Sequence, residues 1–580
     1  MMKRIALLIL SAVLFFSAKA EDATTVYVLC TDGTAQSYEI ESVAHITFDA
    51  DASHLFLKTT DGIKVTYPVS FVDCLQFEEP EKVEIQNYTT DFDVAIDPAD
   101  DTSYSYIKEK VTTVETATND YGDFIENFID DEEAKGTVTV TYSGTTASFT
   151  YNPTSLKNTV VVVASGTSSD VVAYAMKKVR FILTGSTTDG SFKLYAAKKS
   201  RITLNNVSIT NADGGALIFP KTTVSGTEFG GKTLYIELPA GTVNTLTDGT
   251  TYAEPPAGES MKGVVFSEGQ FIFSGTGTLN VNANYGHGIA SDDYVRVRGG
   301  NHNPVINITT SNKDGISVND YFLMNGGTVT VQSADDGVDV GKGYVEINAG
   351  KLTVQSVDEG ITTSFEGTET GIVPDIRMNG GLVKVTTSGD KGMAIKSIGK
   401  YTQTGGIVQA AVSGKGSKAI ESDGDMSFAG GKAVAFAQGT PVYDATEEDM
   451  KSSACVRSKG ALTISGASLQ LKATGNGAKG INNGGVIRMT SGDVTVVAEG
   501  GDYTESGERS RARGINGDSD IQIKGGIVRA RALDNAVHTE GSLTLDGGAL
   551  HAFSAENTSV SAVSVNHMAG WMVEKIKTTP

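Results

Sequence analysis

Cysteine is scarce in this chain: Cys30, Cys74 and Cys455 are the only three in 580 residues. There is no CxxC pair and no Cys/His spacing suited to zinc. Cys30 and Cys74 fall in one small region and are open to a disulfide or to two buried free thiols. Proline is also rare, at 12 residues, which removes collagen-like and low-complexity readings. Trp571 is the only tryptophan and lies near the C-terminus, so a flat aromatic platform for crystalline sugar is not expected in the body of the chain. Basic residues are outnumbered, 47 against 69 acidic, for a net charge of −22. Such a surface repels nucleic acid and anionic membranes, because phosphate binding needs clustered Lys and Arg. It suits cation binding or simple solubility. There is no GxSxG, no HExxH and no phosphate loop leading into a helix.

The one strongly apolar run is at the start. Lys3 and Arg4 precede an apolar Ile5–Phe16 core, and Ala18-Lys19-Ala20 fits a small-x-small cleavage pattern. Residues 1–20 read as a secretory signal, which predicts export across the inner membrane to the periplasm, the cell surface or beyond. No later run is long enough to span a membrane. Nothing in the sequence sets the oligomeric state.

Residues 21–80 form a duplicated small β module. TDGTAQSYEIESVAHITF from Thr31 and TDGIKVTYPVSFVDCLQF from Thr60 align at an offset of 29, with Tyr38/Tyr67, Val43/Val72 and Phe48/Phe77 in register. Each copy alternates apolar and polar residues around an Asp-Gly turn, which is hairpin chemistry. Residues 81–135 are acidic and irregular and read as a linker leading into the next domain.

From residue 136 to 556 the chain is a series of short β-branched strands separated by Gly, Asn, Asp and Thr. A 3.6-residue apolar period is found only near Met568–Ile576, within a C-terminal cap or tail at 557–580. The class is all-β. Rung openings, each a Gly or Ala, stand at 288, 315, 337, 360, 392, 419, 480, 514 and 536, with intervals as short as 22 and 23 residues. That period predicts a stacked β-solenoid. It is too short for a propeller blade, which needs about 40 residues. Alternation points Ile316, Val318, Val338 and Val340 inward, and Ser317 and Asp339 outward.

Stacking at about 4.8 Å sets Asp314, Asp336 and Glu359 in a vertical column, with Asp335, Asp358 and Asp339 beside it. Like charges about 5 Å apart repel by about 3 kcal/mol at an effective dielectric of 20. Calcium takes oxygen ligands at about 2.3–2.6 Å, so one ion spans two such carboxylates. These six acids are the candidate metal ligands. His287 occupies the same position one rung earlier. Arg296, Lys313, Lys342 and Arg377 are the candidate carbohydrate-binding cations. In later rungs Lys391, Lys418, Lys479 and Arg513 replace the acid, which confines the ion site to the 314–359 rungs.

LPAGTVNTLTDGTTY from Leu238, KGVVFSEGQFIFSGTGTLNVNANYGHGIASDDYVRVRGG from Lys262 and KDGISVNDYFLMNGGTVTVQS from Lys313 together resemble the pectate-lyase-like carbohydrate-binding β-helix family, a calcium-binding family of secreted bacterial proteins. The resemblance spans residues 136–556 and does not extend to 21–80; it implies a right-handed parallel β-helix, which the small duplicated β module precedes in the chain. It also implies binding of polysaccharide, acidic pectin-like polymers included, with calcium held between coils. A non-catalytic binding protein is the reading preferred here. A calcium-dependent polysaccharide lyase and a structural or adhesive surface protein are the alternatives.

Overall fold

The computed structural model describes residues 24–80, 85–86, 134–164, 169–224, 226–365 and 367–575. The secretory signal at 1–20 and nearly all of the acidic 81–135 segment lie outside them. Among the described residues there is no α-helix, only two short 3-10 turns at Ile40–Ser42 and Thr154–Asn158. No helix among them is long and apolar enough to cross a membrane. The chain divides into two compact units, one of Tyr104–Gly414 with Ile420–Gly424, the other of Met1–Ser103 with Lys415–Ala419 and Asp425–Pro580.

In the first unit, β-branched runs alternate between buried and partly exposed side chains. Val338 and Val340 are fully buried, and Ile316 and Val318 nearly so. One sheet stacks Val171–Ala175, Phe192–Ala196, Leu217–Phe219, Gly263–Ser267 and His287–Ser291 in parallel. It continues through Ile316–Val318, Val338–Val340, Ile361–Thr363 and Met393–Ser397.

The remaining pairings do not form the open ladder of a right-handed β-helix. Eight parallel strands close a ring. From Ser200–Thr210 it passes through Leu234–Leu238, Phe271–Gly275 and Tyr294–Val297 to Tyr321–Gln332. It returns through Val305–Thr310, Thr278–Ala283 and Val243–Thr247. The result is a closed eight-strand parallel barrel with further strands bonded outside it, among them Arg180–Thr187 and Tyr344–Ser356. The long strands explain the closure. Ser200–Thr203 bond one neighbour while Ser208–Thr210 bond another. In Tyr321–Gln332 the register shifts around Asn325. There Gly327 adopts φ +77, and a Cβ on it would lie 2.7 Å from the Pro304 carbonyl oxygen. A repeat length counts residues per rung but does not reveal that one strand serves two ladders.

The second unit contains the small β module. The duplicated hairpins form as their Asp-Gly turns predict, with Gly33 at φ +84 and Gly62 at φ +89. The two copies meet through a buried 2.5 Å hydrogen bond between the Tyr38 and Tyr67 hydroxyls. The module's strand Ile63–Pro68 pairs antiparallel with Ser564–Lys575, matching Val65 to Val573 and Thr66 to Met572. Trp571 is buried in the module's core with Leu55, Leu57, Tyr67 and Phe71. The segment whose apolar spacing suggested a helix is therefore a strand, because pairing on both sides overrides local periodicity. Cys30, Cys74 and Cys455 are free thiols.

Candidate functional site

The acids reach their positions because a Gly follows them on the inner side of the turn. A Cβ on Gly315, Gly337 or Gly360 would lie 2.1 Å from a methyl of Val331, Val354 or Val385 respectively. Only glycine lets the backbone press that close, and the preceding residue is then turned outward. Extending the register of adjoining strands aligns His287, Asp314, Asp336 and Glu359 in one line. Ala290, Ser317, Asp339, Thr362 and Lys396 form a second line beside it.

Three of the six predicted ligands converge: carboxylate oxygens of Asp335, Asp336 and Asp358 all lie within 4.8 Å of one another. Three are engaged at the margin. Asp314 lies 3.1 Å from His287 Nδ1, Glu359 accepts from Lys396 Nζ at 3.1 Å, and Asp339 accepts from the Ser364 hydroxyl at 2.6 Å. Asp336 also accepts the Glu359 backbone N–H at 2.8 Å. Burial, then the neighbouring Glu359 charge, drives the Asp336 carboxyl well above the usual carboxylate range. Burial raises Asp339 to about 6, with the Ser364 hydrogen bond opposing and Asp314 adding to the rise. Asp335 and Asp358 are raised by burial first and then by neighbouring acids. Lys396 is held above its ordinary value; burial works against this, but Glu359, Glu421 and Asp423 outweigh it. The arrangement carries more negative charge than its cations balance. All its donors are hard oxygens, the set that suits calcium.

The four predicted carbohydrate-binding cations do not share a surface. Arg296 is only 3 % exposed and lies on the line Arg296, Leu323, Glu346, Arg377 of another sheet. Arg377 sits 3.7 Å from Glu346 and 3.9 Å from Asp375, with its guanidinium over the Tyr344 ring. Tyr344 ends a buried stack with Tyr321 and Tyr294. Lys342 pairs with Glu369 at 3.3 Å. Lys313 is exposed at the opening of its rung, near Asp335.

Reading the sequence missed Lys396 and Ser364. Lys396 was within reach: it stands two residues past Ala394, the opening of its rung, as Asp339 stands two past Gly337. The opening was misplaced by two residues, however, because Glu359 aligns with Met393 and not Lys391. In the other unit, Lys479 and Arg513 are in register as expected. Lys479 donates to Ser510 at 3.0 Å, and Arg513 donates to Asp534 at 3.2 Å and Asn516 at 2.6 Å.

The motif residues between Leu238 and Tyr252 are internal fasteners. Asn244 is fully buried; it accepts from the Val207 N–H at 3.0 Å and donates to the Thr278 carbonyl at 3.1 Å. Asp248 accepts from the Gly286 N–H at 2.9 Å and the Tyr252 hydroxyl at 2.8 Å. These contacts explain why the turn needs its Asn and Asp, without making either a ligand-binding residue.

An all-β scaffold with an outward-facing cluster of carboxylates is the class these features define. The chain belongs to the carbohydrate-binding domain-containing family, whose model matches residues 157–498 and 415–558, more than half of its length. Among solved structures it is similar to a gadolinium derivative of the polysaccharide lyase-like protein from C. thermocellum. That similarity is 17 % identity over 57 % of this chain and 99 % of the other, with a TM-score of 0.33, a level that carries no inference. No curated protein gives a significant match.

Proposed function

We propose that this is an exported, non-catalytic polysaccharide-binding protein whose acidic face holds calcium and, with it, acidic pectin-like polymers. Membership of the carbohydrate-binding family supports the polysaccharide partner. The convergence of Asp335, Asp336 and Asp358 within 4.8 Å, among acids whose pKa values are pushed up, is the observation that carries the calcium reading. Asp335, Asp336 and Asp358 would hold the ion, with Asp339 and Glu359 beside them. A hard divalent cation would supply neutralisation of these charges and ligand positions for a uronate carboxylate. Lys313, exposed at the same rung openings, is the cation placed to meet a polymer carboxylate. The reading of residues 1–20 supports export to the periplasm or outside.

The test is titration of polygalacturonate into the protein with calcium and with chelator. Binding is expected with calcium and lost with chelator, and lost also in Asp336→Asn/Asp358→Asn. Binding that ignores chelator and both substitutions would sink the proposal. Release of ultraviolet-absorbing unsaturated uronate would establish a lyase in its place.

A further inference from the structure

A second, separate site lies on the first unit, away from the acids. A cavity of about 220 Å³ is lined by Asp170, Ser191, Lys193, Asp213, Glu259 and Met261, among others. Its volume is below the usual range for drug-sized ligands, roughly 300–1,000 Å³, and suits one small ring. The polar rim is already fixed. Glu259 is held at both oxygens, by Lys193 at 3.2 Å and by the Tyr195 hydroxyl at 2.5 Å. Ser191 donates to Asp170 at 2.6 Å. The segment that closes the cavity, with Pro255 and Pro256, is tied down by Ala253 N–H to the Asp213 carbonyl at 2.7 Å and by Ser260 N–H to Glu268 at 3.1 Å.

The lining pairs apolar atoms of Ile218, Pro256 and Met261 with carboxylates and one ammonium. That is the complement of a sugar ring, which has C–H faces and a hydroxyl rim. Four carboxylates (Asp170, Asp213, Glu254 and Glu259) against one ammonium disfavour an anionic ring and favour neutral hydroxyl donors. The site also does not run on into the acidic face. Lys193 and Asp339 share one line of the sheet; Ile218, Phe266 and Ala290, buried and packed against Met261, and then the partly exposed Ser317 stand between them. A volume of about 220 Å³ holds a single unit of a glycan chain.

We propose that this cavity binds the terminal unit of a neutral glycan, without calcium. The inference rests on the polysaccharide-binding reading but not on its metal. The test is calorimetric titration, in chelator, of the full-length protein with gluco-, galacto-, xylo-, arabino- and manno-oligosaccharides. At least one neutral series is expected to bind saturably, with short oligomers binding as tightly as long ones. Lys193→Met is expected to weaken binding about tenfold or more, since it removes a charged donor. Ala253→Trp, a substitution at an exposed position of the cavity mouth, is expected to abolish it while melting like the parent protein, and Asp336→Asn, which removes the calcium-dependent binding of polygalacturonate, is expected to leave neutral-glycan binding in chelator in place. No saturable binding to any series, binding that requires calcium, or binding indifferent to both cavity variants would each overturn the proposal. Loss of neutral-glycan binding in Asp336→Asn alone would place that binding at the acidic cluster, overturning this site and leaving the calcium reading standing.

Discussion

The same rung position is filled by acids in one unit and by bases in the other, and the two are satisfied differently. Lys479 and Arg513 are each partnered within the protein, by Ser510, Asp534 and Asn516, and Asn516 donates onward to Asn482 at 2.8 Å. Asp335, Asp336 and Asp358 turn toward one another. Charge in the later rungs is settled by packing. In the earlier rungs Asp314 and Glu359 are partnered by His287 and Lys396, while Asp335, Asp336 and Asp358 face one another. A charged column is therefore informative only when its partners are known.

The largest effect expected from this contrast is in metal-linked stability. Calcium at about a hundred times its Kd is expected to stabilise the protein by about 2.7 kcal/mol, read as a rise in melting temperature. Asp336→Asn/Asp358→Asn should abolish the rise, and Lys479→Met should leave it intact. Equal loss in both variants would erase the distinction.

The pH response should differ next. Below about pH 4 Asp339 is protonated whether folded or unfolded. Between there and its folded value of about 6, the folded protein keeps a proton that the unfolded chain has released. Stability in chelator is therefore expected to fall as pH rises through this window, by about 2 kcal/mol. Denaturant melts at pH 4.5 and 7.5 check this, and calcium should flatten the slope.

Lys479 should behave oppositely. Burial first, then Arg513, lowers its pKa to about 8. Its contribution is present above about pH 10.4 and is lost as pH falls through 8. Lys479→Met is then expected to be neutral or stabilising by about 1 kcal/mol at pH 7, because a buried charge is exchanged for apolar volume. Denaturant titration checks it, and a large destabilisation would mean that the Ser510 hydrogen bond outweighs the charge.

The smallest expected effect is at Lys396. Removing it as Lys396→Met deprives Glu359 of its partner and leaves the cluster more negative. Calcium affinity is expected to rise severalfold by calorimetry, since an added unbalanced charge at a partly exposed site is worth at most about 1 kcal/mol.

Much of this was legible in the sequence. Alternation gave Val338 and Val340 as core and Asp339 as outward, and the 22- and 23-residue intervals put Asp314, Asp336 and Glu359 in register. What escaped depended on distance along the chain. A repeat length cannot show that Ser200–Thr210 bonds two neighbours, so the barrel closure was read as an open solenoid. Arg296 looked like a surface cation because its neighbours across the sheet, Leu323 and Glu346, are not its neighbours in sequence. Lys396 was hidden by a two-residue insertion before its rung. The cavity at Lys193 needs four separate segments to exist at all, and no spacing rule brings them together.

The pairing of Ile63–Pro68 with Ser564–Lys575 has a further consequence. A strand that ends a parallel stack presents a row of unpaired amides and carbonyls, a ready template for another molecule of the same kind. Here that row is occupied by a segment of the same chain, reaching across 513 residues to place His54 against the His567 carbonyl. The added strand runs antiparallel and leads into its own hairpins, His54–Thr59 and then Val43–Phe48. The duplicated module thus occupies the edge that Ser564–Lys575 would otherwise present to solvent.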